Sequence, residues 1–142
     1  MNDKKKIAFV VQRYGNEVNG GSEAYCRQVA ERLSQFYDVE ILTTCAIDYV
    51  TWKNEYQEGL DNVNGIKVRR FKVDAPRDEK KFNSFTAKLL SNPEHTVQDE
   101  IKWMEKQGPY CPKLIRYIRE NKGQYDVFMF MTYLYYTTYF GL

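Results

Sequence analysis

The sequence predicts an α/β fold in which helices cover both faces of a mainly parallel sheet, and two observations indicate this class. Short apolar runs of strand length occupy residues 7–11 and 39–44. Between them, apolar side chains recur at the i, i+3, i+4, i+7 spacing of a helix that buries one face, at Cys26, Val29, Ala30 and Leu33. A strand, a helix and a further strand in this order form the unit from which parallel sheets are built.

The first half of the chain supplies this unit and one more strand. Residues 7–11 form a continuous apolar run, which suits a strand buried on both faces. A loop over residues 12–21 follows, and Ser22 is the expected N-cap of the helix because its hydroxyl can accept a hydrogen bond from a first-turn N–H. After the strand at 39–44, residues 66–73 form the third expected strand. Its alternation slips, which predicts a bulge or an edge position.

The second half of the chain is less regular. Residues 74–95 form a polar, irregular excursion that contains a basic amphipathic stretch at 80–90. A helix is then expected to end at Gly108, and Pro112 stands where the first residue of another helix is favoured. Residues 125–131 are the most hydrophobic strand candidate, and we expect them at the centre of the sheet.

Length, charge and cysteine content limit the classes of protein. The 142 residues correspond to a single domain over residues 1–142. Lys and Arg number 21 against 19 Asp and Glu, so no concentrated basic excess favours nucleic acid. The three cysteines include no Cys-x-x-Cys pair, which predicts reduced thiols rather than a disulfide framework or a zinc site. No apolar run is long enough to span a membrane, and we expect a cytoplasmic location.

The sharpest chemical signal is the segment Asn19-Gly20-Gly21-Ser22-Glu23 between the first strand and its helix. In an open α/β sheet, ligands bind beyond the carboxyl ends of the strands. Paired glycines allow the backbone to approach a ligand closely, and a helix N-terminus presents unpaired N–H groups to an anion such as a diphosphate. Two interpretations stay open on this chemistry alone, an anion site and a tight turn into the helix.

Other classes that share this fold are disfavoured by the same region. A nicotinamide-dinucleotide site requires Gly-x-Gly-x-x-Gly after the first strand and an acidic residue at the end of the second, where Thr43 and Thr44 stand. A P-loop requires Gly-Lys-Ser/Thr, which the segment lacks. A response regulator requires paired acidic residues directly after the first strand, and the sequence there is Gln12-Arg13-Tyr14.

Several segments together resemble one enzyme family. Residues 7–11 followed by 19–25 resemble the opening of family 4 retaining glycosyltransferases of the GT-B type. The later strands of that family are resembled by residues 37–44, 64–71 and 125–128. The similarity covers most of the chain except 74–106, and it rests on the order and spacing of the segments. It identifies the fold as the Rossmann-like N-terminal half of a GT-B enzyme, a three-layer sandwich.

The resemblance implies a transferase built from two Rossmann-like domains that face a cleft. Such an enzyme moves a sugar from a nucleotide-sugar to a glycan or glycolipid acceptor, here in surface polysaccharide biosynthesis. The N-terminal domain recognises the acceptor, the C-terminal domain binds the donor and carries a glutamate pair, and no metal or other cofactor is required. The resemblance implies that this C-terminal domain lies outside the given sequence. The catalytic residues are therefore expected beyond residue 142, and the chain alone is expected to be inactive.

The resemblance also assigns roles to individual residues of the first loop and helix. It places Gly20 and Gly21 against the donor diphosphate or sugar when the cleft closes. It places Ser22, Glu23 and Arg13 beside them. These five residues are the predicted donor site.

The acceptor candidates are side chains at or after the carboxyl ends of strands. Trp52 follows the second strand, Thr44 ends it, and Tyr133 follows the last strand. Aromatic faces beside hydroxyl groups suit a sugar. The only histidine, His95, lies in the excursion before a helix and is expected to be a surface or capping residue.

Two alternatives remain open. The chain could be a non-catalytic, flavodoxin-like or Rossmann-like binding module, because fold alone does not define function. The basic stretch at 80–90 is either an ordinary covering helix or a contact to the inner face of an anionic membrane.

Overall fold

The computed structural model describes residues 3–142 and contains one mixed sheet. Its strands are β1 (Lys6–Val10), β2 (Asp38–Thr44), β3 (Gly59–Val63), β4 (Ile66–Phe71) and β5 (Val127–Phe130). Their order across the sheet is β3-β4-β2-β1-β5, and only the β3–β4 pair is antiparallel. The predicted mainly parallel α/β fold is confirmed.

Five helices in the described chain pack on the sheet or on one another. They are α1 (Gly21–Leu33), α2 (Glu79–Ser91), α3 (Val97–Gln107), α4 (Pro112–Asn121) and α5 (Tyr136–Tyr139). Successive side chains of a strand point to opposite faces. Phe9 of β1 therefore packs with Cys26 and Ala30 of α1, whereas Val10 packs with Leu114 of α4 on the other face. The result is a Rossmann-like sandwich of three layers.

The structure adds one strand that was not predicted and corrects the expected place of two others. β3, which the sequence analysis missed, pairs with β4, so β4 is not an edge strand. The register on both sides of β4 is continuous, and the predicted bulge is absent there. Its alternation is regular because Arg70 occupies a buried position. β5 lies at the edge of the described sheet and not at its centre, and Val127 and Met129 are exposed.

The excursion at 74–95 is more regular than expected, because α2 occupies most of it. Asp78 caps α2 by accepting a hydrogen bond from the Lys81 N–H. The α2 helix packs on α3, where Trp103 donates its indole N–H to Thr86 Oγ1 at 2.9 Å. Neither helix contains a fully buried residue. This pair therefore packs mainly on itself and on α5, at the periphery of the domain.

Candidate functional site

The sheet has one point at which its strand order reverses, and this point lies between β1 and β5. From β1 the chain moves outward to β2 and then to β4, and it later returns to β5 on the other side of β1. Because these strands are parallel, the loops at 11–20 and 131–135 leave the same edge of the sheet. Ligands of open α/β sheets bind in the crevice at such a point.

The N-terminus of α1 lies at this point, and no side chain caps it. Its N-cap residue is Gly20, and Ser22, the predicted N-cap, lies inside the helix instead. The first intrahelical hydrogen bond is donated by the Ala24 N–H to the Gly20 carbonyl, so the preceding amides have no helical partner. Gly20 and Gly21 are both exposed. The arrangement therefore leaves the Gly21 and Ser22 amides as backbone donors at the positive end of the helix dipole.

The two glycines have different structural reasons to lack a side chain. A Cβ atom added at Gly20 would overlap the carboxylate of Glu23 and would lie 2.9 Å from Nη2 of Arg13. A Cβ atom added at Gly21 would meet no heavy atom within 4 Å. Packing inside the protein thus requires glycine at position 20 and leaves position 21 open toward solvent.

A buried polar network lies directly behind the glycines and centres on Glu23. Its Oε1 accepts hydrogen bonds from Arg13 Nε at 2.8 Å and from Gln12 Nε2 at 2.9 Å. Its Oε2 accepts from Ser22 Oγ at 2.8 Å. Burial by itself raises the pKa of the Glu23 carboxyl, but the hydrogen bond from Ser22, its own backbone N–H and the Arg13 guanidinium together hold it below its ordinary value. Glu23 is therefore a charged structural residue.

The guanidinium of Arg13 is fully engaged in contacts within the protein. Besides Glu23, its guanidinium donates to the backbone carbonyls of Ile47 at 2.6 Å and Asn19 at 2.8 Å. It also lies 5.4 Å from the ring centroid of Tyr49. Arg13 thus joins the β1–α1 loop to the loop after β2, and in this conformation it shapes the predicted donor site from behind.

Two residues at the reversal point carry polar atoms that nothing in residues 3–142 satisfies. Gln12 is buried with its amide nitrogen on Glu23, and its Oε1 has no hydrogen-bond partner there. Thr132 lies at the matching position beyond β5, since Val10 and Phe130 are partners in the register. Its φ is 70°, which is an outlier for a β-branched residue, and its buried Oγ1 also lacks a partner. Sequence reasoning missed both atoms.

The three acceptor candidates occupy very different environments. Trp52 is 1% exposed, and its indole N–H donates to the Gln107 carbonyl at 2.7 Å. Tyr135 contacts its ring edge-to-face, with 5.4 Å between the centroids. Thr44 is fully buried, and its hydroxyl donates to the Gln12 carbonyl at 2.7 Å. Tyr133 alone among the three is open to solvent, with 79% of its surface exposed.

A second arginine, which the sequence analysis did not single out, fixes the far side of the β1–α1 loop. Arg70 on β4 is 1% exposed and donates to the Tyr14 carbonyl at 2.7 Å. Its guanidinium lies 3.7 Å from the ring centroid of Tyr56, whose hydroxyl donates to Glu17. Asp61 on β3 accepts from its Nε at 3.1 Å. The loop that leads to Gly20 is therefore held from two sides by buried arginines.

The remaining candidate groups lie away from this site. His95 bridges the Asn92 carbonyl and Glu100 at the start of α3, as expected for a surface or capping residue. Across residues 3–142, no cluster of three or more His, Cys, Asp and Glu side chains is placed to hold a metal ion. None of the helices in this range combines the length and the apolar composition needed to cross a bilayer.

Comparison with known proteins adds no relative. No protein-family model, curated protein or solved structure matches the chain. The fold and the site by themselves define the class of the protein. It is a Rossmann-like α/β domain with an open helix N-terminus at the reversal point of its sheet.

Proposed function

We propose that the chain is the acceptor-side domain of a nucleotide-sugar-dependent glycosyltransferase of the family 4, GT-B type. The observation that carries the proposal is the uncapped N-terminus of α1, with Gly20 and Gly21 exposed at the reversal point between β1 and β5. The resemblance of the sequence segments supports this class of reaction, and the open helix end supports a donor contact there. The acceptor would be a glycan or glycolipid of surface polysaccharide biosynthesis.

The donor contact is a diphosphate bound by backbone groups. First-turn N–H groups and the helix dipole favour an anion, and the open space at Gly21 lets it approach the backbone closely. Gln12 Oε1, buried and without a partner at the same helix end, can accept a hydrogen bond from a hydroxyl of the donor sugar. Arg13 and Glu23 position the loop and do not touch the donor.

The rest of the reaction belongs to a second domain in this proposal. The nucleotide, the glutamate pair and the catalytic groups lie outside residues 1–142, as the resemblance implies. The acceptor is expected beside Tyr133, whose ring is exposed next to Thr132 at the same edge of the sheet. A tyrosine ring offers a sugar both an apolar face and a hydroxyl. No metal or other cofactor takes part.

A residue-resolved titration tests the donor contact. We expect uridine diphosphate to shift the backbone amide signals of Gly21 and Ser22 in the nitrogen-15 spectrum of the 142-residue chain. Uridine, which lacks the diphosphate, is the matched control and should leave these signals in place. Unchanged signals with uridine diphosphate at millimolar concentration would refute the contact. Rapid sugar transfer by this chain alone would refute the division of labour between two domains.

A second candidate is a non-catalytic Rossmann-like binding module. It is favoured by the full engagement of Arg13 and Glu23 in the protein interior, because no charged side chain of the predicted donor site then remains for chemistry. This module would bind the diphosphate in the same place. An activity assay on a form of the protein that includes the proposed second domain distinguishes the two candidates. Only a transferase releases nucleoside diphosphate from a nucleotide-sugar when an acceptor is added.

A further inference from the structure

The pair formed by α2 and α3 carries a shallow groove with an unusual lining. The groove encloses about 320 Å³. Its walls are Lys80, Lys81, Ser84, Phe85, Lys88 and Lys106. Four of the six residues are lysines and none is acidic. A groove of this composition is a positively charged concavity.

Helical spacing explains how the lysines converge. Lys81, Phe85 and Lys88 stand at i, i+4 and i+7 on α2, so they share one face of that helix. Lys106 reaches the groove from the last turn of α3, and its ammonium lies 5.3 Å from the Phe85 ring centroid. In the part of the chain that the structure describes, none of the four lysines forms a salt bridge. None of the four ammonium groups is therefore neutralised by a direct ion pair there.

A second cavity adjoins the groove and shares two of its lysines. It has a volume of about 300 Å³, and Lys81 and Lys106 line both spaces. Its remaining wall includes the rings of Trp52, Phe82 and Tyr110. The carboxylates Asp78 and Glu105 also line this cavity, so it is mixed in charge, whereas every charged residue that lines the groove is a lysine.

We propose that the lysine groove binds a diphosphate group and that the adjoining cavity holds the uncharged part of the same ligand. Ammonium groups on flexible stems bind phosphate oxygens as point charges, and several around one concavity match the charge of a diphosphate. Aromatic walls beside them suit a sugar ring or another flat group. The ligand class is thus a diphosphate attached to a ring. This binding claim is independent of the transferase activity.

The site differs from the one at α1 in the groups that recognise the phosphate. At α1 the donors are backbone N–H groups, and no lysine lies in that network. In the groove the donors are the lysine ammonium groups. Charge-changing variants on α2 and α3 therefore affect one site without altering the other.

Inorganic diphosphate is the probe, and the full 142-residue chain is titrated at low ionic strength. We expect saturable shifts of the Lys81, Ser84 and Lys106 amide signals. The double variant K81Q/K106Q should weaken this binding about tenfold, because two charge-assisted contacts are lost. The matched control is K102Q, which removes an exposed lysine of α3 that does not line the groove.

The outcomes decide the proposal. Saturable binding that is lost in the double variant and kept in K102Q supports it. Absence of shifts on α2 and α3, or equal weakening by K102Q, overturns it. A parallel experiment measures binding of the chain to vesicles of phosphatidylglycerol and of phosphatidylcholine. Binding to the anionic vesicles alone, with none to free diphosphate, also overturns the proposal. Shifts confined to Gly21 and Ser22 would leave the α1 contact intact and refute only the groove.

Discussion

The carboxylate of Glu23 lies 2.7 Å from Nη2 of Arg13, and both side chains are more than nine-tenths buried. The pair connects the β1–α1 loop to the first turn of α1 directly behind Gly20. Burying two charges is costly unless they satisfy each other. Because each also holds further hydrogen-bond partners, the pair fixes the shape of the loop that carries the glycines.

Breaking this pair should cost much more than replacing it. We expect Glu23→Ala to lower the free energy of unfolding by about 3–5 kcal/mol, because Arg13 is left as an uncompensated buried charge. The double variant with Arg13→Met and Glu23→Leu should recover part of that loss. Urea unfolding followed by circular dichroism measures both. A loss below about 1 kcal/mol in Glu23→Ala would identify the pair as a surface-like contact.

Stability should also fall in acid, because two buried carboxyls have lowered pKa values. Burial raises the pKa of Glu40, but the hydrogen bond from Arg69 at 2.8 Å and the charge of that arginine lower it overall, and the pKa of Glu23 is lowered as well. A lowered pKa gives stability that is complete above the ordinary glutamate value of 4.5 and is lost as the pH falls through the folded-state value.

The measurement is the free energy of unfolding between about pH 6 and about pH 3. We expect a steep decline in the wild type and a shallower one in Glu23→Gln, whose baseline is lower but which has one fewer group to protonate. Glu94→Gln is the control, since Glu94 is exposed and forms no salt bridge in the described chain. Equal slopes in wild type and Glu23→Gln would contradict the prediction.

The fold could be predicted from the sequence wherever apolar periodicity was strong. β1, α1 and β2 appear within about two residues of the expected places, which is ordinary precision for the ends of elements. β3 was missed because only Leu60 and Val63 of its five residues are apolar and only Val63 is buried, so the segment lacks the strand pattern. The Asn64-Gly65 pair did contain a signal, since both residues have positive φ and connect β3 to β4 as a tight hairpin.

The site could be predicted only in part. The glycines were correctly placed at a helix N-terminus, because glycine pairs and helix starts are local features. The burial of Trp52 depends on Val73 and on Gln107 at the end of α3, and Thr44 is hydrogen-bonded to the Gln12 carbonyl; all of these partners are distant in sequence. Thr132 gave no signal, because a positive φ on a threonine is imposed by its surroundings and not by its own preference.

The glycine pair offers a test that separates binding from folding. Gly21→Val should weaken the binding of uridine diphosphate at least about tenfold while changing the free energy of unfolding by less than about 1 kcal/mol, since position 21 is open. Gly123→Val is the matched control, because position 123 is equally open and lies at the opposite edge of the sheet. If Gly21→Val lowered the free energy of unfolding by as much as it lowered the free energy of binding, the tight-turn interpretation would be favoured.

The three cysteines should be free but slow to react in the folded protein. Burial raises the pKa of Cys26 and Cys111 to about 12 and that of Cys45 to about 11. The thiolate is the reactive form, so alkylation at neutral pH should be negligible until the chain unfolds. We expect three modified thiols in denaturant without reductant and fewer than one without denaturant after the same time. Fewer than three in denaturant would reveal a disulfide.

Thr132 offers the sharpest test of whether the reversal point is built for a ligand. Its φ of 70° places a β-branched side chain in the left-handed region, which costs about 1–2 kcal/mol relative to glycine. Its buried hydroxyl has no partner in residues 3–142, so removing it forfeits no hydrogen bond there. The Thr132 side chain therefore contributes no hydrogen bond to the fold, and strained residues of this kind cluster at binding sites.

Two variants separate the strain from the hydroxyl. Thr132→Ala keeps a Cβ atom at positive φ, whereas Thr132→Gly removes it, so the glycine variant should be the more stable of the two by about 1 kcal/mol. Both lack the hydroxyl, and both should bind uridine diphosphate more weakly than the wild type if Thr132 contacts the ligand. Urea unfolding measures the free energy of unfolding of each variant, and amide titration measures its dissociation constant for uridine diphosphate. A glycine variant less stable than the alanine variant would show that the threonine is not strained, and unchanged binding in both would remove Thr132 from the site.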